Sequence, residues 1–159
     1  METPAIKLKY ETIGSEAFAM LMQKISNTQT NNKAASHINH IIKEVERVRE
    51  HIKDEYLKEI REGFAKRDAD GKIDLIDKDG NNHKDQPNWF DVEDAKMAEL
   101  NKATEEFHQR EAVINWRPLT PSTLEDVNLS AREINLLGDL YSEIEVGPGV
   151  PTNIAQFRK

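Results

Sequence analysis

The sequence predicts an α+β protein, mainly α, built on an antiparallel hairpin of two long helices with a small β-hairpin at its tip. From residue 38 to residue 52, isoleucine and valine recur at alternating steps of three and four, the spacing of one helical face. Asp70-Gly71 and Asp79-Gly80 then mark turns, and a second stretch with helical spacing begins near residue 90. Two amphipathic helices joined through a turn region are expected to pack side by side.

The first long helix is predicted over residues 32–66. Its apolar seam consists of Ile38, Ile41, Ile42, Val45, Val48 and Ile52. Beyond Ile52 the seam continues as Tyr56, Ile60 and Phe64 in steps of four, so the heptad spacing is interrupted there, as at a stutter. Ion pairs on the other faces contribute only about 0.2–0.5 kcal/mol each. We therefore expect packing of the seam to hold the helix in place.

Two shorter elements precede this helix. Ile6, Leu8 and Tyr10 alternate with lysines, which predicts a short half-buried strand that Gly14 ends. Apolar residues at helical spacing then predict a helix from Ser15 to about residue 25. The polar run 26–32 separates this helix from the long one and supplies capping side chains.

The segment after the long helix is predicted to form a small β-hairpin with Ile73 and Leu75 on one side, because Asp-Gly supplies the positive φ values that a tight turn needs. Asn88 or Asp91 is expected to cap a second long helix over residues 90–110. Its seam is Phe90, Met97, Leu100, Thr104 and Phe107. The expected partner of this seam is the seam of the first long helix.

The last third of the chain is predicted to add a strand, a helix and an arm. Residues 111–117 read as a strand that pairs with residues 6–10. Ser130 and Glu133 form a capping box, so a final helix should start at Ala131 and present apolar side chains as far as Ile144 to the core. Residues 147–151 contain two glycines and two prolines. We therefore expect one helical-hairpin domain, residues 1–146, and an extended C-terminal arm, residues 147–159.

The composition bounds the function. The chain has 159 residues, 37% hydrophobic and 32% charged, and a net charge of −7 without a basic cluster, which disfavours direct binding to nucleic-acid phosphates. Cysteine is absent, which excludes disulfides, thiol chemistry and cysteine zinc sites. No apolar run approaches the roughly 18 residues of a membrane span, and the N-terminus lacks a signal-peptide pattern. We expect a cytosolic protein, or one that enters an assembly formed there.

The search for catalytic or metal-binding chemistry gives weak candidates. His37, His40 and Glu44 lie on one side of the long helix and could reach one metal ion, although polar histidines on a helix surface are the commoner case. The Asp77-Lys-Asp79-Gly80 turn overlaps a calcium-loop pattern, but its first ligand position is Leu75. We expect no catalytic residue, no metal and no cofactor.

Contacts with a partner protein are the expected role of several apolar residues. Tryptophans often anchor protein interfaces, although completing a core is their more frequent role. The other candidates lie at the hairpin tip and on the arm. The candidate partner-contact residues are Ile73, Leu75, Trp89, Trp116, Val150, Ile154 and Phe157.

The order of elements carries a resemblance. A short strand, a small helix, a long charged helix, the turn Lys-Arg-Asp-Ala-Asp-Gly at 66–71, a helix ending near Glu111, a strand, and the 126–134 segment that enters a final helix follow one another. Over residues 6–144 this order resembles small uncharacterised helical-hairpin proteins of tailed bacteriophages. The resemblance implies a phage context and no enzymatic role.

Together these observations predict a non-enzymatic phage accessory or virion-associated protein in the host cytoplasm or the virion. It is expected to act as a homo-oligomer through contacts with itself or other phage proteins, without nucleic acid or membrane. The alternative is an acidic inhibitor of a host nucleic-acid enzyme or defence complex. The carboxylates alternate with lysine and arginine along the helices, which is typical of a solvated surface.

Overall fold

A computed structural model of the chain describes residues 6–144. It confirms the α+β, mainly helical class. In chain order the elements are β1 (Ile6–Lys9), α1 (Tyr10–Ile13), α2 (Glu16–Asn27), α3 (Asn32–Tyr56), a π-helical segment (Leu57–Arg61), α4 (Glu62–Phe64), a 3-10 turn (Asp94–Lys96), α5 (Met97–His108), β2 (Glu111–Ile114), α6 (Ala131–Leu137) and a 3-10 turn (Gly138–Leu140).

The chain divides into two compact units, residues 1–49 with 110–159, and residues 50–109. Each unit is described separately below. The expected arm, residues 147–159, lies outside the described residues, so the division into residues 1–146 and an arm stays a prediction. Within residues 6–144 no helix combines the length and the apolar character needed to cross a bilayer.

The first unit contains the predicted pairing of the two strands. β1 and β2 are antiparallel, with Ile6 opposite Ile114 and Leu8 opposite Ala112. These four side chains are buried and the intervening ones are exposed, as a half-buried sheet requires.

Both strands are shorter than predicted. Tyr10 N–H donates to the carbonyl of Arg110, and the chain then turns into α1, which buries Tyr10 and Ile13. β2 ends at Ile114, and the next amide, Asn115 N–H, donates to the carboxylate of Glu44 at 3.4 Å.

Helices α2 and α3 supply most of the remaining core of the first unit. The Ser15 hydroxyl accepts a hydrogen bond from Phe18 N–H and caps α2, which buries Phe18, Leu21, Met22 and Ile25. Ile38, Ile41, Val45 and Val48 of the predicted α3 seam are buried, and Ile42 is half-buried.

The predicted capping box at the start of α6 is present. Glu133 N–H donates to the Ser130 hydroxyl at 3.2 Å, and Ser130 N–H donates to the Glu133 carboxylate at 2.9 Å. The helix ends at Leu137, where Gly138 has a φ of 53°. The expectation that Ile144 faces the core is wrong: its side chain is 62% exposed, because the chain leaves helical geometry after Leu140.

In the second unit, the predicted interruption of the long-helix seam is the π-helical segment. Glu62 N–H donates to the carbonyl of Leu57, five residues earlier, so this turn contains an extra residue. Ile60 is buried, and Tyr56 and Phe64 are half-buried. A seam in steps of four stays on one side of a helix whose turns are widened in this way. Regular helix ends at Phe64, two residues before the predicted end.

The expected tip differs from the prediction. Residues 66–74 and 75–83 form two consecutive small hairpins, each with one isolated antiparallel bridge. In the first, Asp68 N–H donates to the Lys72 carbonyl, and in the second, Asp77 N–H donates to the Asn81 carbonyl. Positive φ occurs only at Gly71 (79°) and Gly80 (83°), not at the preceding aspartates. The turns are therefore three-residue turns closed by a glycine bulge, rather than two-residue Asp-Gly turns.

The second long helix is shorter than predicted. Its α-helical part, α5, covers 12 residues and begins after the 3-10 turn, without a capping side chain at either start. Phe107 is buried and packs edge-on against Tyr56, with ring centroids 5.6 Å apart. Met97, expected in the seam, is 41% exposed. At about 1.5 Å per residue, α5 is roughly 18 Å long, so it can oppose only part of a helical run of the predicted length.

Candidate functional site

The predicted contact residues of the tip lie in the two hairpins. Ile73 closes the first hairpin through its bridge with Arg67, and its side chain is half-buried, as is that of Leu75. The exposed apolar residue here is Ile76, at 51%. Side chains of an extended segment alternate in direction, so Ile76 lies on the side opposite Ile73 and Leu75. This alternation was a signal in the sequence that the prediction did not use.

The two hairpins share one local design. The carboxylate of Asp68 accepts N–H bonds from Asp70 and Lys72, at 2.9 and 3.0 Å. Nine residues later, the carboxylate of Asp77 accepts N–H bonds from Asp79 and Asn81, both at 2.9 Å. The first aspartate of each Asp-x-Asp-Gly turn therefore organises the turn itself, as turn chemistry rather than calcium binding predicts.

The second hairpin carries an additional contact that we call the His83 cluster, formed by Asp77, His83, Gln86 and Trp89. His83 Nε2 lies 2.8 Å from Asp77 Oδ2, and His83 Nδ1 lies 2.7 Å from Gln86 Oε1. The imidazole stacks on the Trp89 indole, with centroids 3.9 Å apart and planes 10° from parallel. The candidate contact residue Trp89 is half-buried by this stack.

Two successive turns produce the His83 cluster. Gln86 N–H donates to the His83 carbonyl, and Trp89 N–H donates to the Gln86 carbonyl. Pro87 occupies the second position of the later turn, where its fixed φ is favourable. The three side chains thus recur every three residues. The sequence analysis missed His83 and Gln86, although this spacing and Pro87 were visible.

The charges of the cluster reinforce one another. The hydrogen bond from His83, with further help from the Asn81 and Asp79 amides, lowers the pKa of Asp77 to about 2. In return, the Asp77 carboxylate and then the Gln86 amide raise the pKa of His83 above its usual value of 6.5. The arrangement thus favours an imidazolium paired with a carboxylate.

In the first unit, the candidate residue Trp116 stacks on His40, with ring centroids 4.4 Å apart and planes 19° from parallel. The Trp116 ring is half-buried, and its Nε1 atom is buried without a hydrogen-bond partner among the described residues. Trp116 is therefore a packing residue of this unit with one remaining donor.

His37 is buried and lies in a hydrogen-bond network with Arg117, Thr123 and Thr120. Its Nε2 faces the Arg117 carbonyl at 3.1 Å, which only accepts, so Nε2 carries the proton. Nδ1 then accepts from the Thr123 hydroxyl at 3.2 Å, and Thr123 accepts from Thr120 at 3.1 Å. Desolvation by burial lowers the pKa of His37, which keeps the ring neutral.

The metal hypothesis for His37, His40 and Glu44 finds each group already engaged. Both nitrogens of His37 are bonded within the protein, and the ring of His40 lies on Trp116. The Arg47 guanidinium, at 3.0 Å, lowers the pKa of Glu44, whose carboxylate also accepts from Asn115 N–H. Within residues 6–144 no three His, Asp or Glu side chains are grouped to hold one metal ion.

Two adjoining clefts lie where α2 and α3 meet in the first unit. Their volumes are about 110 and 200 Å³, and they share Ser26 and Ile42. Pockets that bind small ligands usually measure about 300–1,000 Å³. These clefts are therefore shallow depressions between packed helices. The candidate residues Val150, Ile154 and Phe157 lie outside the described residues.

Comparison with known proteins finds no matching family model, no similar curated protein and no similar solved structure. The fold and the local geometry define the class: a mainly helical α+β protein with a two-stranded antiparallel sheet and a tandem pair of Asp-Gly hairpins.

Proposed function

We propose that the protein is a non-enzymatic accessory or virion-associated protein of a tailed bacteriophage that acts through protein–protein contacts and works in several copies. The observation that carries the proposal is the exposure of large apolar side chains on a surface whose α2–α3 clefts are shallow. These exposed side chains are Met20, Ile76, Met97, Val113 and Ile144. Apolar side chains in water gain free energy when a partner covers them.

The polar clusters support the same proposal. The perturbed groups His37, Asp77 and His83 each bond to side chains or carbonyls that order their own segment. Catalytic groups usually combine a shifted pKa with an accessible cleft and a free reacting atom. These three residues fit a structural role, so contact surfaces are the better candidates for function.

The first experiment measures self-association. We expect the full chain to form a defined oligomer in native mass spectrometry and in light scattering. Deleting residues 150–159, which carry Val150, Ile154 and Phe157, should shift the distribution toward monomer without changing the circular dichroism spectrum. A full chain that stays monomeric at all concentrations would remove the multi-copy part of the proposal.

A matched pair of substitutions tests the tip. Ile76→Ser removes an exposed apolar side chain from the second hairpin, and Met20→Ser removes one from α2. Ile76→Ser should weaken association or partner binding several-fold, whereas Met20→Ser should leave it unchanged. Equal effects of the two substitutions would show that the tip has no special role.

Affinity capture from phage-infected cells then identifies the class of partner. Recovery of phage structural proteins, lost on deletion of residues 150–159 or in Ile76→Ser, supports the proposal. Recovery of a host nucleic-acid enzyme or defence complex, in a manner that weakens with added salt, would favour the acidic-inhibitor alternative.

A further inference from the structure

The inference concerns the protonation state of His83. Both of its ring nitrogens lie within hydrogen-bond distance of an oxygen, Asp77 Oδ2 on one side and Gln86 Oε1 on the other. A neutral imidazole has one N–H and one lone pair, whereas an imidazolium has two N–H donors. Only the imidazolium can donate to both oxygens in this geometry. The stack on the Trp89 ring adds the attraction between a cation and an indole face.

The ring joins pieces of the second unit that are otherwise separate in sequence. Through Asp77 it is connected to the turn of the second hairpin, whose amides the same carboxylate accepts. Through Trp89 it is connected to the π-helical segment, because the Arg61 guanidinium donates to the Trp89 carbonyl at 3.3 Å. The His83 ring therefore lies at the centre of a continuous set of contacts from residue 61 to residue 89.

We propose that His83 is a pH-sensitive switch: its imidazolium form fixes Trp89 against the second hairpin, and loss of the proton in alkaline solution releases Trp89. The released indole is a half-buried aromatic ring that becomes available at the tip. This inference is independent of the proposed function, since its test needs no partner.

The direction follows from the charges around the ring. Asp77 is the charged group that bonds to it from the second hairpin, Gln86 and Trp89 are uncharged, and the Arg61 cation is engaged with the Trp89 carbonyl. Since the pKa of His83 in the folded protein lies above its usual 6.5, the stabilisation is complete below pH 6.5. It is lost as the pH rises through the folded pKa.

The experiment uses the full chain with Trp116→Phe, so that Trp89 is the only tryptophan. Trp116 Nε1 has no hydrogen-bond partner among the described residues, so this background removes no such bond. The titration of the His83 ring is followed by NMR, and the environment of Trp89 by fluorescence. We expect one fluorescence transition that coincides with the His83 titration and lies above pH 6.5.

Two variants and one control test the cause. Asp77→Asn keeps an oxygen for the turn amides but removes the charge, and should shift both transitions to lower pH. Gln86→Glu adds a second carboxylate and should shift them to higher pH. His51→Gln changes another histidine that pairs with a carboxylate, Glu55, and should move neither transition.

Three results would overturn the proposal. His83 could titrate at or below pH 6.5, or Asp77→Asn could leave its titration unmoved. Alternatively, His83 could titrate while the Trp89 signal stays constant, as expected if the Gln86 amide turns over and donates to a neutral ring. Coincident transitions that move with Asp77→Asn and Gln86→Glu would establish the switch.

Discussion

Replacement of Gly138 by alanine tests how the end of α6 is packed. Gly138 has φ 53° and ψ −130°, a backbone conformation that residues with a Cβ rarely adopt. A Cβ built there would lie 3.2 Å from Leu8 Cδ2 in β1. Gly138→Ala therefore meets two obstacles, one in the backbone and one against a buried side chain.

The magnitude follows from these two terms. Holding alanine in so sparsely populated a region costs about 1–3 kcal/mol. The smaller conformational freedom of alanine in the unfolded chain offsets about 0.4–1 kcal/mol of that. Since the Leu8 methyl can move by a few tenths of an ångström, the steric term is small. We expect the free energy of unfolding to fall by about 1–2 kcal/mol.

Urea unfolding followed by circular dichroism measures the change, with Gly63→Ala as the control. Gly63 is helical, and a Cβ there would meet nothing within 4 Å, so this variant should be stabilised by about 0.4–1 kcal/mol. Repeating Gly138→Ala in a Leu8→Val background, which lacks Cδ2, isolates the steric term in a double-mutant cycle. If Gly138→Ala were as stable as the original chain, the argument from backbone strain would be wrong.

Three further predictions concern other elements. The pKa of His37 is lowered in the folded protein, so the free energy of unfolding should decrease as the pH falls below 6.5, and His37→Gln should flatten this part of the pH profile; an equal slope in both proteins would contradict it. Ser130→Ala should cost about 1 kcal/mol in urea unfolding and Ser130→Asp much less, because aspartate also caps; equal losses would exclude the capping explanation. Phe107→Ala, at a side chain 2% exposed, should cost about 3–5 kcal/mol by the same assay, whereas Met97→Ala at an exposed position should change stability by less than about 0.5 kcal/mol; similar values would contradict the packing of α5.

Features determined by neighbouring residues were predicted well from the sequence. The Ser130 and Glu133 pattern located the start of α6, and the steps of four beyond Ile52 located the π-helical segment. The turns at Gly71 and Gly80 were also located correctly, but their number of hairpins and their φ values were not. An Asp-Gly dipeptide is compatible with more than one turn type, and the flanking hydrogen bonds select among them.

Features that depend on distant residues were not predicted. Ile144 continues the helical spacing of α6, yet the chain leaves the helix before reaching it. The candidate site shows the same limit, since Trp89 and Trp116 were selected as aromatic residues but their histidine partners were not. A stack between side chains leaves no periodic pattern when one partner lies on a helix and the other follows a strand.

The sequence by itself determined the class of the fold, the course of the long amphipathic helix, the capping box and the positions of the turns, because each depends on contacts within a few residues. Only the tertiary structure decided which groups satisfy His37, whose partner Thr123 is 86 residues away, and how His83 joins its hairpin to Trp89. A buried or paired imidazole takes its protonation state from the donors and acceptors around it. Those neighbours are fixed only when the whole chain has folded.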